Sequence, residues 1–339
     1  MRLDKRLFTR LLTAAVLTAS AGTLLSGAAA AETVLKFASF VPPKYVLHKP
    51  IFEKMASDVA AATGGQLKIR IYPSGELGKG PVQQYVRAVR GVADITMGVT
   101  GYTSSLFPKS LLIELPGVAK NGIDATRRAW KVMDKHLRSE YRGTHVLASY
   151  ATPPSVFMTT KKPIRSLADV KGLKIRTPSK AAGEVLKAYG AAPVSMPATK
   201  VYTAMSTGVI DGALMGSDSL LIFKLIEPTK YVTTGLPEMP TSIFIVMNKK
   251  SWAKLPAGQK AALSKASGAA LSVEAAKKLG GFGALALKLF AKRKGKEIIA
   301  ISAAERAKFD AAAAVARAKL VKQLEGKGIP AGQVIRDMK

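Results

Sequence analysis

What most restricts the fold of this 339-residue chain is a run of alternating strand and helix signals between residues 153 and 212. After Pro153-Pro154, strand-like segments at 156–160, 173–176 and 192–195 are separated or followed by helical stretches at 180–189 and 199–207. Strands that alternate with helices pair in parallel through helical crossovers, which cover both faces of the sheet. The first half repeats the pattern: strand 34–40, a helix over 50–63 opened by Pro50 and closed by Gly64-Gly65, strand 67–72, helix 81–90 and strand 94–98. A β-rich run at 241–248 then returns the chain to the first unit. Two mainly parallel α/β units that share crossing segments imply a hinge with a cleft beside it. The alanine-rich last third reads as helix over 256–292, with Gly280-Gly281 and Gly283 as bend points. A strand at 297–301 and a final helix follow, the latter opened by a Ser302/Glu305 capping box.

Arg176 carries the strongest chemical signal. It ends a short buried strand just before a helix begins near Ser179, a position aimed into the cleft. Its planar fork of donors suits a carboxylate better than any other side chain. The alternative is an internal pair with Asp169 or Asp211. His48 follows the first strand, in the loop over 41–49 that the topology puts at the cleft mouth. His136 and His145 read as surface or packing residues. Gly75-Glu76-Leu77-Gly78-Lys79-Gly80 lacks the Gly-Lys-Ser/Thr ending of a phosphate loop and reads as a strand-to-helix connection.

Enzyme readings lack parts. The three histidines are scattered, no Gly-x-Ser-x-Gly elbow is present, and with no cysteine there is neither a thiol nucleophile nor a disulfide. The formal net charge of +30 is spread along the chain without basic-aromatic interleaving, which argues against nucleic acid and fits attraction of anionic solutes or a solvated basic surface. At the N-terminus, Arg2, Lys5, Arg6 and Arg10 precede an apolar run and then small residues, so residues 1–31 read as a cleaved secretory signal. No later stretch reads as a membrane span.

The segment Gly172-Leu173-Lys174-Ile175-Arg176-Thr177-Pro178, with Gly190, Pro193, Met196, Val201-Tyr202 and Gly208 to Gly212 in order behind it, resembles the solute-binding proteins of tripartite ATP-independent periplasmic (TRAP) transporters, the DctP family. The resemblance extends from Leu35-Lys36-Phe37 through Tyr72-Pro73-Ser74-Gly75-Glu76-Leu77-Gly78 to Val246-Met247-Asn248. It implies a two-lobed periplasmic-binding-protein-like fold with discontinuous lobes, hinge strands and a long connecting helix. The lobes would be 32–153 with 240–285, and 154–239 with 286–339. It also implies a bidentate contact from Arg176 to the carboxylate of an organic acid. Sialic-acid-binding relatives carry a second arginine where this chain has Val156, Phe157 and Met158. Where they line the cleft with polar groups, this chain aligns Phe40, Val99, Tyr102 and Met215, with Ser217 and Asp218 just beyond. The expected ligand is therefore a carboxylate on an apolar or aromatic body, touched by Arg176, Phe157, Tyr102, Met215, Phe40, Val99 and His48. No metal, no cofactor and no catalysis are expected. The expected setting is a periplasmic monomer that serves the membrane permease subunits of a TRAP system, the alternative being a sensor subunit for a membrane kinase.

Overall fold

A computed structural model describes residues 32–339; the expected signal at 1–31 lies outside the described residues. The strands in chain order are β1 (Thr33–Ala38), β2 (Leu67–Tyr72), β3 (Ile95–Val99), β4 (Thr144–Ala151), β5 (Ser155–Thr159) and β6 (Lys174–Thr177). They continue with β7 (Ala192–Ser195), β8 (Gly212–Gly216), β9 (Tyr231–Thr234), β10 (Ser242–Asn248) and β11 (Glu297–Ala300). They form two sheets, β2-β1-β3-β10-β4 and β11-β9-β5-β8-β6-β7, each the centre of one α/β lobe.

Both sheets are mainly parallel, as expected, but each contains one reversed strand. β10 runs antiparallel to β3 and β4, and β5 antiparallel to β8 and β9. These two strands are reached by direct crossings between the lobes rather than through helical crossovers, so nothing forces them parallel. The crossings are bonded to each other: Thr152 N donates to the Thr241 carbonyl at 3.0 Å, and Thr241 N to Thr152 Oγ1 at 2.9 Å. A pair of adjacent, mutually bonded strands is a hinge that can bend without sliding.

The helix Gly268–Ala291 ties the lobes together along one side. Its first half packs Ala275 and Leu279 into the core of the first lobe, and its second half packs Ala286 and Phe290 into the second. The expected bend points, Gly280-Gly281 and Gly283, lie within its unbroken run. Gly283 serves close approach instead: a Cβ there would lie 2.4 Å from Ser217 Oγ and 3.1 Å from Pro153 Cγ. The break in the expected 256–292 helix falls earlier, between Ala257–Lys265 and the long helix.

The C-terminal segment crosses back between lobes, contrary to its assignment to the second. The helix Ala303–Glu325 buries Phe309, Ala313 and Ala316 in the second lobe, while Leu320, Val321 and Leu324 reach the first. The last helix, Ala331–Met338, buries Ala331, Val334 and Met338 in the first lobe's core, where His136 Nε2 meets Asp337 Oδ2 at 2.6 Å. Half of the expected capping box is present. Ser302 accepts from Glu305 N at 3.2 Å, but the Glu305 carboxylate accepts from Leu167 N at 3.0 Å.

Candidate functional site

The C-terminal ends of β1, β3 and β6 converge between the lobes on a narrow cavity. Phe40, Val41 and Tyr45 come from the loop after β1, Met97 and Val99 from β3, and Tyr102 from the turn Thr100–Leu106 that follows it. The second lobe supplies Arg176 from β6, Ala198, Met215 and Gly216 from β8, and Asp218. Apolar and aromatic groups dominate, and Phe40 and Tyr102 face each other at 6.4 Å between ring centroids.

Arg176 is 2% exposed yet makes no ion pair with any described residue. Alternation along β6 turns Ile175 into the second lobe's core and Arg176 to the cavity. Nε donates to the Met196 carbonyl at 2.9 Å, and Nη2 to Tyr102 Oη at 3.4 Å. The internal-pair alternative does not hold. Asp169 caps the turn at Ser166, accepting from Ser166 N at 2.9 Å, and Asp211 accepts from Lys174 N at 2.8 Å. Burial works against the Arg176 charge, while Tyr102 and Glu114 counter that pressure. A buried guanidinium held by a carbonyl and a hydroxyl keeps its remaining donors and its charge for an incoming anion.

Tyr102 Oη also accepts from Ala198 N at 2.8 Å. With both lone pairs engaged by the second lobe, the hydroxyl proton is left to donate. Tyr102 belongs to the first lobe, so it is at once a latch across the cleft and a donor beside Arg176.

Glu114 is the cross-lobe residue that sequence reasoning missed. It is 2% exposed; its Oε2 accepts from Ser179 Oγ at 2.9 Å and its Oε1 from Ser242 N at 2.8 Å. Ser179 in turn caps the helix Lys180–Ala188 through a 3.1 Å bond from Ala182 N. One carboxylate thus joins the first lobe to the helix behind Arg176 and to the returning hinge strand. Burial pushes its pKa up to about 7, against the pull of Ser242 N, Ser179 and Arg176. A lone glutamate in the apolar run Leu111-Leu112-Ile113-Glu114-Leu115 was the available signal, because such a group needs buried partners. Gly101 lies at the same seam: a Cβ there would sit 2.6 Å from Ser179 Cβ and 2.9 Å from the Pro178 carbonyl.

Of the seven residues expected at the site, the structure brings Arg176, Tyr102, Met215, Phe40 and Val99 around one cavity. Phe157 is a correction. Both faces of β5 are buried, and Phe157 shares with its partner Leu214 the face turned to the second lobe's own core, 6.4 Å from the Phe309 ring, while Val156 and Met215 take the other face. His48 is the second correction. It sits against Phe52 at 6.0 Å, with Nε2 3.4 Å from Glu53 Oε1, outside the cavity wall. A larger space, open to solvent, lies along the crossing segments and the connecting helix. Its one cation, Arg306, is already bonded to Asp310 at 3.0 Å and to the Gly235 carbonyl at 2.9 Å. Among the described residues no cluster of three or more His, Cys, Asp or Glu could hold a metal ion, and no helix is long and apolar enough to cross a membrane.

Two α/β lobes that close a buried arginine over an apolar slot define a solute-binding protein. Residues 37–323 match the family DctP, bacterial extracellular solute-binding protein, family 7, and the chain belongs to that family. A TRAP solute-binding protein of a marine metagenome, described as specific for aromatic acids and solved with metahydroxyphenylacetate, is 31% identical. That structure superposes at a TM-score of 0.86 over 91% of this chain and 98% of that one. A TRAP solute-binding protein of Rhodoferax ferrireducens, solved with copurified benzoate, is 30% identical with a TM-score of 0.86, covering 90% of this chain and 96% of that one. A solute-binding protein of Albidiferax ferrireducens is 30% identical over 216 residues, which make up 62% of this chain and 63% of that protein, under two thirds of its length.

Proposed function

We propose that this chain is the periplasmic, monomeric binding component of a TRAP uptake system and that its solute is an aromatic monocarboxylate. The observation that carries the reading is Arg176: a buried cation with no acidic partner among the described residues, at the wall of a cavity whose apolar lining includes Phe40, Tyr102, Val99, Met215 and Phe223. The carboxylate takes the free edge of the guanidinium and the Tyr102 proton, and the ring lies between apolar walls. Removal from water strengthens the ion pair, and lobe closure about the bonded crossings provides that removal. Relatives solved with benzoate and with a hydroxyphenylacetate support the same class of ligand. The closed form would dock on membrane permease subunits, and the binding protein needs no cofactor and performs no turnover. None of the relatives described above is a sensor subunit.

The test is calorimetric titration of the purified protein with benzoate, phenylacetate, their neutral amides and a sugar acid, repeated on Arg176→Ala. Tight binding of an aromatic acid, absent for the amide and the variant, is the expected result. Equal binding by the variant would reduce Arg176 to a structural residue and remove the basis of the reading.

A further inference from the structure

The burial of Glu114 is supplied largely by the lobe to which it does not belong. It ends the turn Ser110–Glu114 of the first lobe, and the small gap beside it is walled by Pro178, Ala182, Leu214 and Met239 of the second. Its Oε2 accepts from Ser179 Oγ of the second lobe at 2.9 Å, and its Oε1 from Ser242 N of β10 at 2.8 Å. Ser179 caps the helix that follows β6, three residues after Arg176. The approach of the lobes that shuts a solute in is therefore also what takes this carboxyl out of water.

Two effects act on its proton in the same direction. A carboxyl that loses water on closure favours its neutral form. Arg176 is the one charge among the described residues that acts on Glu114, and it draws the group toward ionisation. A solute carboxylate seated on Arg176 offsets that pull. The closed site can hold the proton. Oε1 keeps its bond from Ser242 N, and a proton on Oε2 reverses the bond with Ser179, whose Oγ accepts one other bond, from Ala182 N at 3.1 Å. In the closed form burial pushes the pKa from the ordinary 4.5 up to about 7. An acid whose pKa is higher closed than open takes up a proton on closing between those two values, and that contribution to closure is lost as pH rises through the upper one.

We infer that Glu114 is a positioning residue for solute capture: it takes up a proton as the lobes close over a carboxylate, and in that state it holds the Ser179 cap, and with it the end of the Arg176 strand, against the first lobe. The inference rests on the aromatic-acid reading above and adds that binding is coupled to proton uptake at a residue the solute does not touch. Capture is then tighter on the acid side of neutrality, down to the pH at which the solute itself is protonated.

The experiment is titration calorimetry with benzoate and phenylacetate at pH 6, 7 and 8, in two buffers of different ionisation enthalpy at each pH, on the wild type and Glu114→Gln. The dependence of the heat on the buffer gives the number of protons taken up. At pH 7 the wild type should take up about half a proton more than the variant, and between pH 6 and pH 8 its affinity should fall about tenfold further. Glu114→Gln keeps the neutral shape at every pH, with an amide N–H for Ser179, so its affinity should stay close to that of the wild type at pH 6. Asp218, the other buried acid at the seam, is present in both proteins and cancels in the comparison. A glutamate with a structural role alone would change affinity by the same factor at each pH. Equal proton uptake by the two proteins, or parallel pH profiles, would overturn the inference and leave the aromatic-acid reading standing. Wild-type binding with no net proton uptake at pH 7 would have the same force, whether or not the variant folds. A wild type that binds neither acid would overturn both.

Discussion

Glu114 and Asp218 are both almost wholly buried, both lie near the seam between the lobes, and burial pushes both up to about 7. They differ in their partners. Glu114 has a donor on each oxygen, one from each side of the hinge, whereas Asp218 Oδ1 has none. The same chemistry at the same burial therefore reads as a structural tie in one place and as an unpaired acceptor in the other. Partner accounting, rather than burial or charge, separates a group that holds the molecule together from one whose burial costs it stability.

The contrast can be tested from its strongest consequence downward. Arg176→Ala leaves an incoming carboxylate buried and unpaired, a loss of about 3–5 kcal/mol, so affinity for the cognate acid should fall roughly a hundredfold to several-thousandfold by calorimetry. Glu114 should remain tied in that variant, and the melting temperature without ligand should change little. Glu114→Ala has the reverse pattern. It orphans Ser242 N and Ser179 Oγ, each at about 1–3 kcal/mol, and should lower the unfolding free energy in urea whether or not ligand is present. If Asp218→Ala destabilises the free protein as much, the distinction between the two carboxylates fails.

A pH series sharpens it further. For an acid whose folded pKa is raised, the folded state holds the proton over a range in which the unfolded state has lost it. Stability therefore falls as pH rises from about 4 to about 7. Asp218→Asn should flatten that slope and raise the melting temperature at pH 8 but not at pH 4. Glu114→Gln should gain less at pH 8, because an amide cannot accept both bonds. Smaller again, Tyr102→Phe removes the latch to Ala198 and one ligand donor, and affinity should drop about twofold to tenfold, the scale of one hydrogen bond. Least of all, His48→Ala should leave affinity within about twofold, since His48 stands outside the cavity wall.

Much of this was legible in the sequence where a local pattern decides the outcome. The strand that carries Arg176, the helix cap at Ser179 and the return through β10 follow from short apolar runs, glycines and prolines in fixed places. Residues such as Phe40 and Val99 came from the resemblance and not from periodicity. The face of Phe157 could not be read, because every position of β5 is buried and alternation carries no polar mark to tell one face from the other. Glu114 escaped because its meaning lies in Ser179 and Ser242, which are 65 and 128 positions away. The C-terminal helix escaped for a related reason: the contact between His136 and Asp337 that docks it on the first lobe spans 201 positions.

Gly101 has a consequence for the shape of what is admitted. It faces Pro178 and Ser179 with no room for a side chain. The approach of the lobes at that seam is thus limited by the Gly101 backbone against the Pro178 carbonyl and the Ser179 Cβ, atoms that cannot rotate out of the way. Such a stop acts as a gauge. Lobes that meet at this stop would close fully over a flat ring, whereas a thicker, puckered ring would itself hold them off it, and the expected result is a preference for planar acids. Gly101→Ala would widen the gauge by the thickness of a methyl group, and a binding preference that moved from planar toward non-planar acids would be its mark.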